Sequence, residues 1–182
     1  MIYCAGNTEF FSFAKPIGVG LVNSAIGLTS SIYKDNPSEI IFVGTCGCYD
    51  SSKNLLEVFE SQSASNIELS FLQQQSYTPL DNLITLENVS HETLLKSQQI
   101  NIVNSSNYIS TDSSIAKSLL KLGILYENME FFSILQIAKH FNLPALGIFC
   151  STNHIHQESR KEFLANQESA IKILKAHLSE KK

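Results

Sequence analysis

The chain has 182 residues, a length that suits one domain with a substantial hydrophobic core, and we expect a single domain over residues 1–182. A formal net charge of −4 and a pI near 5.7 argue against a basic surface, so we expect neither nucleic acid nor a membrane as a partner. No apolar run approaches the ~20 residues of a membrane span, and the N-terminus has no basic leader, so we expect a cytoplasmic protein.

The first predicted strand covers residues 2–5 and ends at Gly6, where a loop that includes Glu9 begins. A single acidic residue in a turn is commonly only a solvated carboxylate, and this is one interpretation of Glu9. Gly18 and Gly20 then open a helical pattern. The residues predicted to face inward on that helix are Val22, Ala25, Ile26 and Ile32. Glycines let backbone amides approach an anion or a ribose, but two glycines alone are more typical of a tight turn.

An apolar strand is predicted at residues 40–43, and it runs directly into Gly44-Thr45-Cys46-Gly47. Ligands of open α/β sheets gather at the carboxyl ends of the strands, so this segment is either a binding loop or a plain turn. We favour the binding loop.

The cysteines lie in or beside apolar runs, which favours reduced core thiols. The alternative is a zinc site made by Cys46 and Cys48 with His154 and His156, but this spacing is not a standard one. We therefore expect no metal.

The middle of the chain is less informative. Residues 55–59, 67–71, 83–86 and 100–103 alternate like strands, whereas residues 61–65 and 73–76 are polar and are predicted to be solvated loops. Asp112 precedes a helical pattern at residues 113–122 that Gly123 ends, so it is either a helix N-cap or a carboxylate of the site, and we favour the N-cap.

Residues 124–153 combine a helix and a buried strand. The helix is predicted to open at Asn128-Met129-Glu130, and its apolar face comprises Phe131, Ile134, Leu135 and Ala138. A carboxylate in a first turn faces the positive end of the helix dipole, so Glu130 is expected to be ionised. Residues 145–150 form an apolar strand that ends in Ser151-Thr152-Asn153. A last amphipathic helix is predicted at residues 158–178. Its inward stripe comprises Leu164, Ile171, Leu174 and Leu178.

These segments resemble the purine nucleoside phosphorylase and methylthioadenosine nucleosidase superfamily in both sequence and order. Met129-Glu130 and Thr152-Asn153 match its Met-Glu and Ser-Asp pairs, with Pro144 between them. The turn at residues 18–25 resembles its Gly-Ile-Gly-Lys-x-Asn-Ala motif, and residues 44–47 resemble its Gly-Ser/Thr-x-Gly loop. The resemblance implies a three-layer α/β/α sandwich with a central mixed sheet. It also implies cleavage of the N-glycosidic bond of purine nucleosides, by phosphorylase or nucleosidase chemistry.

The resemblance also implies roles for individual residues. Glu9 takes the place of the glutamate that helps activate the attacking water, and Asn153 takes the place of a catalytic aspartate, so both are candidate catalytic residues. The candidate substrate-binding residues are Gly44, Thr45, Cys46, Gly47, Met129 and Glu130. Glu130 would hold the ribose hydroxyls, with Met129 packed on the sugar. An asparagine amide donates a hydrogen bond but transfers no proton, which favours 6-oxopurine nucleosides such as inosine or guanosine.

Several departures from the superfamily pattern leave the activity open. Phe42 takes the place of a phosphate-binding arginine, the chain's single arginine is Arg160, and Ser113 and Ser114 stand where an aromatic residue is expected. Residues 10–15 are also shorter than the usual entrance hairpin. We expect no cofactor, with phosphate as a possible co-substrate, and a homo-oligomer of two or more subunits.

Two alternatives follow from these departures. One is a non-catalytic nucleoside-binding relative. The other is a generic flavodoxin-like binding domain, which would place Glu130 far from Thr45.

The nucleophile is a separate question. An attacking water needs only a general base, whereas a phosphate also needs groups that stabilise its negative charge.

Overall fold

The computed structural model describes residues 1–87 and 100–180. Its strands are β1 (Ile2–Cys4), β2 (Lys15–Pro16), β3 (Ile40–Cys48), β4 (Val58–Ser61), β5 (Ser63–Ser65), β6 (Leu83–Thr85), β7 (Ile102–Ser105), β8 (Tyr126–Asn128) and β9 (Ala145–His154). Its helices are α1 (Leu21–Asp35), α2 (Leu69–Leu72), α3 (Ser113–Lys121), α4 (Phe131–His140) and α5 (Ser159–Glu180). No helix within the described residues is both long and apolar enough to cross a membrane.

The strands form one mixed sheet in the order β2-β1-β3-β8-β7-β5-β6, and β9 pairs with both β3 and β4. The β1–β3, β3–β9 and β7–β8 pairs are parallel, whereas β3–β8 and β4–β9 are antiparallel. The long strands β3 and β9 therefore lie side by side with their carboxyl ends at the same edge. This edge is where the predicted binding segments meet.

Helices cover both faces of the sheet, which confirms the predicted three-layer α/β/α architecture. Alternate residues of β3 and β9 point to opposite sides, as the twofold repeat of a strand requires. Phe42 and Phe149 pack with Phe131 of α4 and with α1, whereas Val43 and Ile148 pack against α5. Because both faces are buried, the central strands are apolar almost without interruption.

Several boundaries and faces differ from the sequence predictions. Residues 67–71 were predicted to be a strand, but Leu69–Leu72 is a short helix. On α1 the inward face comprises Ser24, Leu28, Ser31 and Ile32, so the prediction for Val22 and Ile26 was wrong; they are 64% and 61% exposed. Leu164 is likewise exposed on α5, although Leu174 of the same predicted stripe is buried.

The serine-rich residues 61–65, predicted to be a solvated loop, instead include the buried strand β5. Burial of these hydroxyls is tolerated because each has a partner. Ser61 donates to the carbonyl of Asn101 at 2.6 Å, Ser63 pairs with Thr85 at 2.8 Å, and Ser65 donates to Asn104 Oδ1 at 2.9 Å.

Candidate active site

A cavity of about 530 Å³ opens at the carboxyl ends of β3 and β9. All but one of the site residues predicted from the sequence line it. Those lining residues are Glu9, Thr45, Cys46, Gly47, Met129, Glu130 and Asn153. Gly44 lies behind the wall, where a Cβ would be 3.2 Å from Glu9 Oε2. The flavodoxin-like alternative required Glu130 to lie far from Thr45, and this geometry contradicts it.

The helix α4 begins at Phe131, after the predicted opening at Asn128-Met129-Glu130, so Glu130 is its N-cap residue. Asn128 is the capping side chain, because its Oδ1 accepts from the amides of Glu130 at 2.8 Å and Phe131 at 3.0 Å. The carboxylate of Glu130 instead reaches across to α1 and accepts from the amide of Gly20 at 2.8 Å. Glu130 thereby joins the two helices at the cavity wall.

Glu130 was expected to be ionised because of the helix dipole, but burial acts against ionisation. Glu130 is only 3% exposed, and loss of water around the carboxylate raises its pKa to about 7. The amide of Gly20 opposes this rise, and the negative charge of Glu9 adds to it. The helix dipole alone does not decide the charge state of a carboxylate that is buried so completely.

Glu9 is held against the loop that follows β3. Its Oε2 accepts from the Thr45 amide at 3.0 Å, and its Oε1 accepts from the Thr45 hydroxyl. Burial raises the pKa of Glu9, while the two bonds from Thr45 act in the opposite direction. Glu9 is therefore positioned by the sheet and is not the solvated loop carboxylate that the sequence also allowed.

Asn153 reaches the cavity because the β3–β9 pairing shifts by one residue. Cys46 pairs with Ser151 and Gly47 with Asn153, so Thr152 is an extra residue on β9. Such a bulge redirects the side chains that follow it. The Thr152 hydroxyl donates to the carbonyl of Cys46 at 3.2 Å and bonds to Asn153 Oδ1 at 3.1 Å, which orients the amide.

The amides of Gly18 and Gly20 are not free to bind an anion. The Gly18 amide donates to the carbonyl of Ala5 at 3.0 Å, and the Gly20 amide donates to Glu130. The next amide, that of Leu21, donates to Asn107 Oδ1 at 2.9 Å. The structure favours the tight-turn interpretation of these glycines over a phosphate cradle.

Comparison with solved structures identifies the fold. Over 98% of this chain and 95% of the other, the structure matches a futalosine hydrolase mutant of Helicobacter pylori strain 26695 with a TM-score of 0.77 and 14% identity. It matches the 5'-methylthioadenosine/S-adenosylhomocysteine nucleosidase of S. pneumoniae over 97% and 95% of the two chains, with a TM-score of 0.76 and 13% identity. The chain has the fold of the purine nucleoside phosphorylase and methylthioadenosine nucleosidase superfamily.

Sequence comparison finds one relative that is also named for nucleoside chemistry, at modest identity. The chain is 25% identical over 145 residues to the DeoD-type purine nucleoside phosphorylase of Latilactobacillus sakei subsp. sakei strain 23K. This match covers 76% of the chain but only 62% of that relative, less than two thirds of its length. No protein-family model matches the chain.

The superfamily's position for a phosphate-binding arginine lies inside the core. Phe42 is fully buried, with its ring centroid 6.4 Å from that of Phe131 and 5.9 Å from that of Phe149. Arg160 instead lines the cavity of its own chain from the first turn of α5, with an exposed side chain.

Asp112 is the N-cap that its sequence context predicted. Its carboxylate accepts from the Ser114 amide at 2.8 Å, and this bond lowers its pKa. Tyr108 and Ile109 line the cavity a few residues earlier, where the sequence analysis proposed no site residue. Tyr108 is 85% exposed and is an aromatic ring available to a base.

All four cysteines are free and buried, as expected for core thiols. Cys46 lines the cavity, but burial raises the pKa of its thiol well above the ordinary value. No group of three or more His, Cys, Asp or Glu within residues 1–87 and 100–180 is arranged to hold a metal ion. The side chain of His156, from the alternative zinc set, bonds to Glu162 at 3.1 Å.

Sequence reasoning missed Glu127, a second carboxylate on the wall of the cavity. Its Oε2 accepts from the Tyr49 hydroxyl at 2.9 Å, and its Oε1 accepts from the Ser110 amide at 3.2 Å. Residue 127 lies in the middle of β8, directly before the segment where the helix was predicted to open. The sequence did contain a signal for Glu127. It is a polar residue that directly follows the short apolar run at residues 124–126, as expected for a site residue at the end of a strand.

Proposed function

We propose that this protein hydrolyses the N-glycosidic bond of purine nucleosides and releases the free base. The structures it resembles include a futalosine hydrolase and a 5'-methylthioadenosine/S-adenosylhomocysteine nucleosidase, and both are named for nucleoside cleavage. The sequence relative is a purine nucleoside phosphorylase, so the choice between water and phosphate has to come from the site itself.

The observation that supports water most strongly is the contact between Glu9 and Thr45. In the superfamily pattern the hydroxyl and amides of this loop contact phosphate or the nucleophilic water. Here the carboxylate of Glu9 accepts from both the amide and the hydroxyl of Thr45. A phosphate at this place would lose those donors and face a negative charge, whereas a water molecule can donate to the carboxylate.

Glu9, Glu130 and Met129 have different roles in the proposed hydrolysis. Glu9 accepts a proton from a water molecule whose oxygen attacks the anomeric carbon, and its raised pKa brings its basicity nearer to neutral pH. Glu130 holds the ribose hydroxyls beside Met129. The bond from the anomeric carbon to the base breaks through an oxocarbenium-like state, and the electron pair leaves with the base.

Asn153 assists departure of the base without supplying a proton. Its Oδ1 accepts from the Thr152 hydroxyl, and one hydrogen of its Nδ2 donates to the carbonyl of His154 at 3.2 Å. The second hydrogen of Nδ2 is the one available to a ring nitrogen of the base. A hydrogen bond of this kind stabilises a departing 6-oxopurine anion, which then takes its proton from solvent. We therefore propose inosine-like or guanosine-like nucleosides as substrates.

A second candidate function is nucleoside binding without cleavage. Asn153 favours it, because an amide cannot replace the acid on which the nucleosidases of the superfamily rely. In that case the cavity would hold a nucleoside that remains intact.

The test is incubation of the protein with inosine, guanosine, adenosine and methylthioadenosine, with phosphate either removed or added. We expect free hypoxanthine or guanine without phosphate, and ribose as the second product. Strict dependence on phosphate, with ribose 1-phosphate as product, would establish a phosphorylase. Tight binding with no release of base would establish the binding protein. A cytoplasmic location and a homo-oligomer of two or more subunits remain predictions from the sequence.

A further inference from the structure

The first turn of α5 holds the backbone at the end of β9 with two polar side chains. The Ser159 hydroxyl donates to the carbonyl of His154 at 2.8 Å. Glu162 Oε2 accepts from the amide of the same residue at 2.7 Å. Both polar groups of the His154 backbone are therefore tied to α5, directly after Asn153.

The Ser159 hydroxyl does not act as an ordinary helix cap. A capping serine accepts from a backbone amide two or three residues further along the chain. The Ser159 oxygen instead accepts from the amide of His156, which precedes it, at 2.7 Å. The residue is only 1% exposed, and its side chain points back toward the end of β9. Helix capping therefore does not account for a serine at this position.

The single hydrogen of this hydroxyl has two carbonyls within reach. The carbonyl of His156 lies 2.5 Å from Ser159 Oγ, but it also accepts from the Ser159 amide at 3.0 Å. Because the His156 carbonyl already has that partner, a hydroxyl that donates to His154 leaves both carbonyls bonded. We therefore assign the hydroxyl hydrogen to the carbonyl of His154.

The carbonyl of His154 decides which way the Asn153 amide points. Its oxygen lies 3.2 Å from Asn153 Nδ2 and can only accept, so the NH2 end of the amide has to face it. A reversed amide would place Oδ1 against the carbonyl, with no hydrogen between the two acceptors. The Thr152 hydroxyl is less decisive, because its one hydrogen also reaches the carbonyl of Cys46 at 3.2 Å.

We propose that Ser159 is a positioning residue for Asn153, because it holds the carbonyl that orients the Asn153 amide. This inference rests on the proposed function, in which the second hydrogen of Asn153 Nδ2 bonds to the departing base. In this role Ser159 acts through His154 and not by contact with the nucleoside. Without its hydroxyl, the carbonyl of His154 is free to move, and the amide spends less time with an N–H group toward the base.

The experiment compares two leaving groups that depart from the same site. The hypoxanthine of inosine leaves with help from Asn153, whereas the 4-nitrophenolate of 4-nitrophenyl β-D-ribofuranoside is a good leaving group without that help. In Ser159→Ala, the ratio of kcat for inosine to kcat for the nitrophenyl riboside is expected to fall about tenfold, the worth of one neutral hydrogen bond. KM for inosine should change by less than about twofold. Damage to the fold would lower both rates and leave their ratio unchanged.

Three further variants separate positioning from a merely structural effect. Ser159→Cys keeps the size of the side chain and weakens the donor, so it should fold even if Ser159→Ala does not, and its ratio should fall by an intermediate amount. In an Asn153→Ala background, Ser159→Ala should cause no further fall, because the amide that it orients is gone. Ser179→Ala removes an exposed hydroxyl of the same helix that donates to the carbonyl of Lys175 at 2.8 Å, and it should leave the ratio unchanged.

Two results would overturn the role of Ser159 while leaving the proposed function intact. One is a ratio for Ser159→Ala and Ser159→Cys within about twofold of wild type, and the other is an equal fall in the Asn153→Ala background. If neither substrate is cleaved, the proposed function fails, and NMR of the Asn153 side-chain amide then tests the positioning by itself. Its hydrogens should exchange with solvent faster in the Ser159 variants than in wild type, and equal rates would overturn the positioning.

Discussion

Replacement of Glu9 by glutamine tests the hydrolytic mechanism most directly, because the change removes a base and preserves the shape of the site. The carboxylate accepts from the Thr45 amide at 3.0 Å and from the Thr45 hydroxyl. A glutamine carbonyl can accept the first bond, and its NH2 group can donate to the hydroxyl oxygen. Folding should therefore be retained while the proton acceptor is lost.

The expected loss follows from the contribution of a positioned base. General-base catalysis contributes about 10²–10⁴ in rate, which is roughly 2.7–5.4 kcal/mol of activation free energy. We expect kcat of Glu9→Gln to fall at least about 100-fold. KM should stay within about threefold, since Glu130, Met129 and Asn153 still hold the nucleoside.

The assay is the release of free purine from inosine in phosphate-free buffer, followed across pH. Burial raises the pKa of Glu9, and only the ionised form accepts a proton, so the wild-type rate should rise with pH through that raised value. The variant should lack this rise. Glu39→Gln makes the same chemical change at an exposed position between α1 and β3 and should leave the profile unaltered.

Two results would refute the reasoning. A kcat for Glu9→Gln within threefold of wild type, with the rise on the acid side still present, would show that Glu9 is not the base. An unchanged rate that depends strictly on phosphate would show that the attacking group is not water.

Three further predictions concern the site and the fold. The pKa of Glu130 is raised to about 7 in the folded protein, so folding favours its protonated form. The free energy of unfolding of the wild type should therefore fall by about 3 kcal/mol as the pH rises from 4.5 to above 7. Urea titrations of Glu130→Gln should lack that decrease. Gly27→Ala should lower the free energy of unfolding by about 1–3 kcal/mol despite the better helix propensity of alanine, because the new Cβ would lie 1.9 Å from the carbonyl oxygen of Ile17. The control Ser30→Ala, at an exposed position of the same helix, should not lower it. Asn153→Asp should restore a transferable proton and raise the rate of adenosine cleavage at least about tenfold at acid pH, and an unchanged rate would contradict its place beside the leaving base.

The architecture and the location of the candidate site could be predicted because both depend on strong local signals. Uninterrupted apolar runs at residues 40–43 and 145–150 require a strand that is covered on both faces. The polar segments that follow them had to meet at one edge once these strands paired in parallel. The cap at Asp112 is equally local, since its partner is only two residues away.

The errors arise where a partner distant in sequence decides the outcome. Ser63 and Ser65 are buried in β5 because Thr85 and Asn104 satisfy their hydroxyls, and neither partner is visible in the local pattern. The charge of Glu130 depends on its burial and on the amide of Gly20, which is 110 residues away. Thr152 shifts the register between β3 and β9, and periodicity along one strand cannot show a shift between two.

The distribution of charge in the cavity also bears on the choice of nucleophile. Glu9, Glu127 and Glu130 all line it, and the one arginine of the chain reaches it with an exposed side chain. Two unit charges about 4 Å apart interact by about 4 kcal/mol at an effective dielectric constant near 20, so a phosphate dianion beside an ionised Glu9 would be opposed by about 8 kcal/mol. An exposed guanidinium is screened by solvent and offsets only a small part of this. A neutral water molecule meets no such opposition, and its attack becomes easier as Glu9 ionises. Phosphorolysis would instead require Glu9 to be protonated, so its rate should fall over the same pH range in which hydrolysis rises.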